Sequence, residues 1–109
     1  MGDHKIIALS GGVGGAKLAL GLSRLDLGDR LLVVANVGDD FEHLGLTICP
    51  DLDSNTYALA GLNDEVKGWG RADEGWRFME ALGEFGGENW FNLGDRDLAL
   101  HVLRTQALD

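Results

Sequence analysis

Four of the five residues from Gly11 to Gly15 are glycine, and a single lysine, Lys17, follows them. The stretch reads LSGGVGGAKLA over residues 9–19, apolar on both sides. A glycine has no Cβ, so its amide can approach a phosphate oxygen closely. A helix starting at that point turns its unpaired N–H groups and the positive end of its dipole toward the same spot. Gly11, Gly12, Val13, Gly14 and Gly15 therefore read as an anion site, with Lys17 as an added point charge. The plainer alternative is a tight strand-to-helix turn, which needs fewer glycines.

Two familiar phosphate signatures do not match. The P-loop requires glycine directly before its lysine and Ser or Thr directly after it. Ala16 and Leu18 occupy those positions. The dinucleotide pattern G-x-G-x-x-G/A is met by Gly12 and Gly14, but Lys17 fills the third small position. That pattern also calls for an acid at the end of the second strand, where Asn36 stands. A dinucleotide-dependent oxidoreductase is thereby disfavoured.

Carboxylates form the second group with chemical potential. They occur as Asp39-Asp40, Asp51-x-Asp53 and Asp95-Arg96-Asp97, all in segments expected to be loops. In an open α/β sheet the loops following parallel strands hold the ligand. Acids there could bind Mg²⁺ beside a diphosphate or accept a proton from an attacking hydroxyl. They could equally cap helices: Asp51 or Asp53 a helix from Ser54, and Asp95 the last helix. Arg96 reads as a phosphate clamp or a surface ion-pair residue. Spacing alone leaves these readings open.

Other reactive residues carry less. His43 is expected on a solvent-exposed loop, and His4 and His101 take no role. One cysteine and scattered histidines give no zinc-ligand spacing. Cys49 reads as a small buried residue. Trp69, between two glycines, could meet a ring-bearing ligand, whereas Trp76 and Trp90 read as packing residues.

The elements positioning these groups follow from the apolar pattern. Lys5–Leu9 and Leu31–Ala35 are short apolar runs with the character of buried parallel strands. Between them Ala16–Leu25 is expected to be helical, with Leu18, Leu22 and Leu25 on one face. Gly28-Asp29 is a turn. Strand, glycine loop, helix and strand make a βαβ unit, which places the chain in the α/β class. A long loop follows, holding at most a short strand near Leu46–Cys49. Helices are then expected from Ser54 to Ala60, stopped by Gly61, and from Asp73 to Leu82, stopped by Gly83. In the second of these Trp76, Met79 and Leu82 share a face. A last helix starts at Asp95 or Asp97, with Leu98 and Val102 turned inward.

With 109 residues the sequence suits one domain. Its 18 acids against 9 bases give a formal net charge of −9, which repels nucleic acid as a generic partner. A lone cysteine favours a reducing compartment, and no apolar run approaches membrane-spanning length. A cytoplasmic protein with neither nucleic-acid nor membrane partners is the expectation.

Several ordered motifs then agree: SGGVGGAKLALGL, VVANVGDDFEHLGLTICPDLDSNTYALAGL, GWGR and WFNLGDRDLALHVLRT. Together, from Ile6 to Leu108, they closely resemble the start of the 2-phospho-L-lactate transferases, the CofD family. The resemblance implies an α/β fold, Rossmann-like and three-layered with a mostly parallel sheet. Residues 1–109 would be an incomplete amino-terminal part of a single transferase domain, because family members run roughly two to three times longer.

The resemblance also implies a reaction in the biosynthesis of coenzyme F-420. A phospholactyl or phosphoenolpyruvyl group moves from a guanosine diphosphate-linked donor to the ribityl hydroxyl of the deazaflavin Fo. GMP leaves and Mg²⁺ is required. Gly11 to Gly15 and Lys17 would hold donor phosphates. Asp53 and Asp95 would face the acceptor or the metal, and Arg96 would neutralise charge on the moving group. Asn36 and Asp40 match the family's strand-end loop. A homodimer is a partner state compatible with this reading. The competing function is a non-catalytic nucleotide sensor that binds a UDP-sugar, against which PDLD and GDRD argue.

Overall fold

The computed structural model of the chain describes residues 6–67 and 70–109. Lys5 of the expected first strand, His4 and Trp69 lie outside the described residues. The chain divides into two compact units, Met1–Asp40 with Cys49–Gly70 and Phe41–Ile48 with Arg71–Asp109. Among the described residues no helix is long and apolar enough to cross a membrane.

The first unit begins with β1 (Ile6–Ser10), α1 (Gly12–Ser23), a 3-10 turn (Gly28–Arg30) and β2 (Leu31–Ala35). The two strands pair in parallel, from Ile6 with Leu31 to Ser10 with Ala35. β1 alternates as a strand must, burying Ala8 and Ser10 and exposing Ile7 and Leu9. α2 (Pro50–Ala60) completes the unit and packs against α1.

α1 starts four residues earlier than the sequence pattern predicts, inside the glycine run. Gly12 has φ +66°, a left-handed conformation that lets the chain reverse directly after β1. The Gly15 amide already donates to the Gly11 carbonyl at 3.2 Å, so the helical ladder begins there. The buried face also differs. Ala16 and Ala19 face inward, while Leu18 and Leu25 are 58% and 62% exposed. Small side chains on the inner face let two helix backbones come close, and the leucine spacing does not register that demand.

α2 also starts earlier than expected, at Pro50 rather than Ser54. Proline suits a first helical position because its missing N–H has no acceptor there. The helix ends as predicted at Gly61, whose φ of 72° is left-handed.

The second unit contains a hairpin of β3 (Phe41–His43) and β4 (Leu46–Ile48), paired antiparallel from Phe41–Ile48 to His43–Leu46. Only a short strand near Leu46–Cys49 is legible in the sequence. Leu44 and Gly45 both have positive φ, 54° and 75°, as a type I′ turn requires. Leucine at the first of these positions hides the usual Asn-Gly signal.

α3 (Arg77–Glu84) and α4 (Asp95–Leu108) complete this unit. Its core is Ile48, Met79 and Leu93, with Phe41, Phe78, Leu82, Phe91 and Leu98 packed around them. α3 starts four residues after the expected Asp73, which instead takes a left-handed φ of 56°. It runs through Gly83 to Glu84 before turning at Gly86. On α4, Leu98 packs against the core as predicted, but Val102 is partly exposed and His101 takes the deepest position.

Candidate functional site

The first turn of α1 leaves β1 at the carboxyl ends of the parallel strands, where an open α/β sheet presents its ligand crevice. Its N-cap, Gly11, is extended and supplies no side-chain cap. One amide there is taken: Gly12 N–H donates to Asp51 Oδ1 at 2.6 Å. Val13 and Gly14 follow in the first turn, where a helix offers no carbonyl to its own amides. A Cβ at Gly14 would meet nothing within 4 Å, whereas one at Gly15 would lie 2.5 Å from Ser10 Oγ. Gly12 and Gly15 are thus required by the fold. Gly14 is not, because a side chain there would enter open space. Lys17 is exposed one turn further along.

A polar network braces this turn. Asn36 Nδ2 donates to Asp51 Oδ2 at 3.0 Å, and Asn36 Oδ1 accepts the Gly38 N–H at 3.2 Å. Ser10 Oγ donates to Asn55 Oδ1 at 2.9 Å, and Asn55 Nδ2 donates to the Asp51 carbonyl at 2.8 Å. Ser10, Asp51 and Asn55 are all buried. The strand ends, the α1 start and the first turn of α2 are therefore tied by one set of hydrogen bonds. Beside it a groove of about 330 Å³ runs along Leu9–Gly11 and Val34–Asn36.

Asp51 and Asp53 lie within α2's first turn and cap nothing at its start; the N-cap is Cys49, without a side-chain bond. The Asp53 amide donates to the Cys49 carbonyl at 3.0 Å, which places it inside the helical ladder. Its side chain is buried. Asp40 sits where the chain leaves β2, its amide bonded to the Val37 carbonyl. Its Oδ1 is buried without a hydrogen-bond partner among the described residues.

In the second unit the acids are used differently. Asp95 is the first residue of α4, yet it caps α3: Oδ2 accepts the Arg77 N–H at 3.1 Å and Oδ1 the Phe78 N–H at 2.8 Å. Glu74 returns the favour to α4, accepting the Arg96 N–H at 2.6 Å and the Asp97 N–H at 3.0 Å. A Cβ at Gly94 would collide with the Glu74 carboxylate. The expectation that Asp95 caps its own helix is corrected: its side chain reaches 17 residues back along the chain. Arg96 is exposed beside this crossed pair.

The histidines depart most from expectation. His43 is buried, not exposed, with its ring edge against Trp90 and Phe91 at 4.9 and 5.8 Å. Its Nε2 has no hydrogen-bond partner among the described residues. His101 is 1% exposed and lies between Asp97 and Arg104, 2.9 Å from Oδ2 and 3.3 Å from the guanidinium. Arginine can only donate, so His101 Nδ1 accepts and Nε2 carries the proton shared with Asp97. The Asp97–His101 spacing of i, i+4 is a legible helical pairing that the sequence analysis passed over.

Sequence reasoning also missed Ser10, Asn55 and Glu74, and it raised Asp51 only as one of several candidate acids. Asp51 and Asn55 share an i, i+4 spacing on α2. Nothing local marks Ser10 or Glu74.

Comparison with known proteins places this geometry in a family. A model of 2-phospho-L-lactate transferase CofD matches residues 6–109. A phosphoenolpyruvate transferase of Streptomyces avermitilis is 48% identical over 105 residues, covering 95% of this chain and 33% of that protein. The namesake from Kitasatospora aureofaciens is 47% identical, with the same coverage. That of Mycobacterium tuberculosis is 45% identical over 118 residues, covering 95% of this chain and 36% of that protein. The chain thus spans about a third of the length of these relatives. Its parallel β1–β2 pair is the expected start of an incomplete Rossmann-like α/β fold. Matched over nearly every residue, the chain belongs to the CofD family.

Proposed function

We propose that this chain supplies the donor-phosphate site of a transferase in coenzyme F-420 biosynthesis. The observation that carries the reading is the first turn of α1 where β1 ends: Asp51 takes the Gly12 amide, and Val13 and Gly14 have no helical carbonyl to bond. Its donor is a guanosine diphosphate-linked three-carbon acid, held at its diphosphate by those amides and by Lys17. The relatives' name, phosphoenolpyruvate transferase, favours the phosphoenolpyruvyl over the phospholactyl form. The acceptor is the ribityl hydroxyl of Fo. Its oxygen bonds to the phosphorus bearing the three-carbon acid, the bridging P–O bond breaks, GMP leaves, and the hydroxyl proton passes to a carboxylate. Catalysis of this kind rests on alignment and charge neutralisation.

The first unit supplies oxygen donors of the kind Mg²⁺ takes: Asp40 Oδ1 is buried with no hydrogen-bond partner among the described residues, whereas both Asp51 oxygens already accept hydrogen bonds from Gly12 and Asn36. Mg²⁺ bound with the diphosphate would offset the Asp51 carboxylate, which otherwise repels a diphosphate at the next two amides. Asp53 is the residue proposed to hold the metal or take the proton. Asn36 keeps Asp51 oriented through its 3.0 Å bond.

Calorimetric titration of GDP with Mg²⁺ tests the binding half. Saturable binding that Asp53→Asn weakens tenfold or more supports the proposal. Binding of a UDP-sugar with indifference to GDP would favour a nucleotide sensor. The chemical half is read as GMP released from the donor in the presence of Fo and Mg²⁺. No GMP from either the lactyl or the enolpyruvyl donor contradicts it.

A further inference from the structure

A second concavity in the first unit lies along the flank of α1, between α1 and α2; it meets the proposed diphosphate site at Val13 and Lys17 and extends away from it to Arg24 and Glu65. Its volume is about 280 Å³. That is near the lower end of the ~300–1,000 Å³ range of small-molecule pockets and about twice the ~150 Å³ that holds one benzene. Ala16, Leu20, Tyr57 and Ala58 form its apolar walls. An aromatic ring or a fused pair of rings matches such a space in size and polarity.

Charge adds the second half of the argument. The protein carries a formal −9, yet the only charged residues from Gly12 to Arg24 are cations, Lys17 and Arg24. Both line this cavity. They stand seven residues apart, two helical turns or about 10 Å along one face. Neither forms an ion pair among the described residues. One acid, Glu65, lines the cavity with them, so its rim keeps a net positive charge. Two cations without an ion-pair partner among the described residues, around an apolar pocket in a protein of net charge −9, make a selective arrangement.

We propose that the cleft between α1 and α2 binds an aromatic anion, its ring against the apolar walls and its phosphate or carboxylate at Lys17 and Arg24. The inference does not depend on the transfer reaction, although the two sites share Lys17 at their common edge. Both halves of the ligand are needed: the ring supplies apolar contact and the anion answers the cations.

Phenyl phosphate is the probe, titrated into the ¹⁵N-labelled chain and followed by amide shifts, with phenol and inorganic phosphate as halves of it. Expected are saturable shifts at Ala16, Leu20, Arg24 and Ala58, with phenol and inorganic phosphate each at least tenfold weaker. Arg24→Gln should weaken phenyl phosphate about tenfold, and Glu65→Gln should tighten it severalfold. Arg24→Gln should leave GDP affinity unchanged, which separates this cleft from the strand-end site. Shifts confined to Gly11–Gly15 and Asn36, equal binding of inorganic phosphate, or no response to either variant would overturn the proposal.

Discussion

Three helices show two ways of treating a helix start. α3 and α4 begin with their amides closed by the chain's own acids, Asp95 on α3 and Glu74 on α4. α1 begins with one amide closed by Asp51 and no side-chain cap from its own N-cap residue. The same physical need, to satisfy unpaired N–H groups at a positive dipole end, is met internally in one place and left to an external group in the other. The second unit spends its carboxylates on holding helices together. The first unit leaves two amides open at a strand exit, and it is there that we propose the ligand binds.

Substitutions separate these two regions, beginning with the largest effect. Gly15→Ala puts a Cβ 2.5 Å from Ser10 Oγ and 3.2 Å from the Ser10 backbone. The expected loss is about 2–3 kcal/mol, as for overpacking generally, read from the urea midpoint. A midpoint at the wild-type value would mean that α1 does not approach β1 this closely.

Asp95→Ala comes next. It removes two charge-assisted bonds at the start of α3 and should lower stability by about 2 kcal/mol. GDP affinity should not change, because the first unit is untouched. A variant of full stability that has lost GMP release would place Asp95 in the chemistry and not in the cap.

Asp51→Asn is subtler. It keeps the shape and the acceptor for the Gly12 amide, loses the bond from Asn36 Nδ2, and removes a negative charge beside the open amides, so GDP should bind more tightly in the absence of Mg²⁺. A gain of about fivefold corresponds to roughly 1 kcal/mol, reasonable for one charge at a partly shielded distance. Unchanged Mg²⁺-free affinity would show that Asp51 does not face the ligand.

The smallest effect is the most discriminating. Gly14→Ala meets no atom within 4 Å and should stabilise the helix by about 0.5–1 kcal/mol, the usual gain over glycine. The same change should weaken GDP binding severalfold by filling the space the phosphate needs. Better stability with unaltered affinity would make this glycine irrelevant to binding.

The difference between the two regions also explains what could be read in advance. β2 is found at its predicted residues, Leu31–Ala35, because a parallel strand is written locally as a continuous apolar run, but it is half-buried and not buried, with Val34 exposed. The glycine run was legible as a strand-to-helix junction, but not as the first turn of α1, because glycine disfavours helix by propensity and the φ of Gly12 is set by the chain reversal. The crossed caps were hidden because Asp95 and Glu74 act on amides 17 to 23 residues away. The burial of His101 was hidden because its ring nitrogens are satisfied by Asp97 and Arg104, a pairing that a hydrophobic pattern does not register. For the site itself the motif order carried the family, while Asp51, central to the network, looked no different from the other acids.

The account turns on where a guanosine diphosphate places its phosphates, and a crystal of the protein grown with GDP and Mg²⁺ measures that directly. It should show phosphate oxygens within hydrogen-bond reach of the Val13 and Gly14 amides, about 2.7–3.2 Å away, at the end of β1. Phosphates bound away from that turn, with those two amides turned to water, would contradict it.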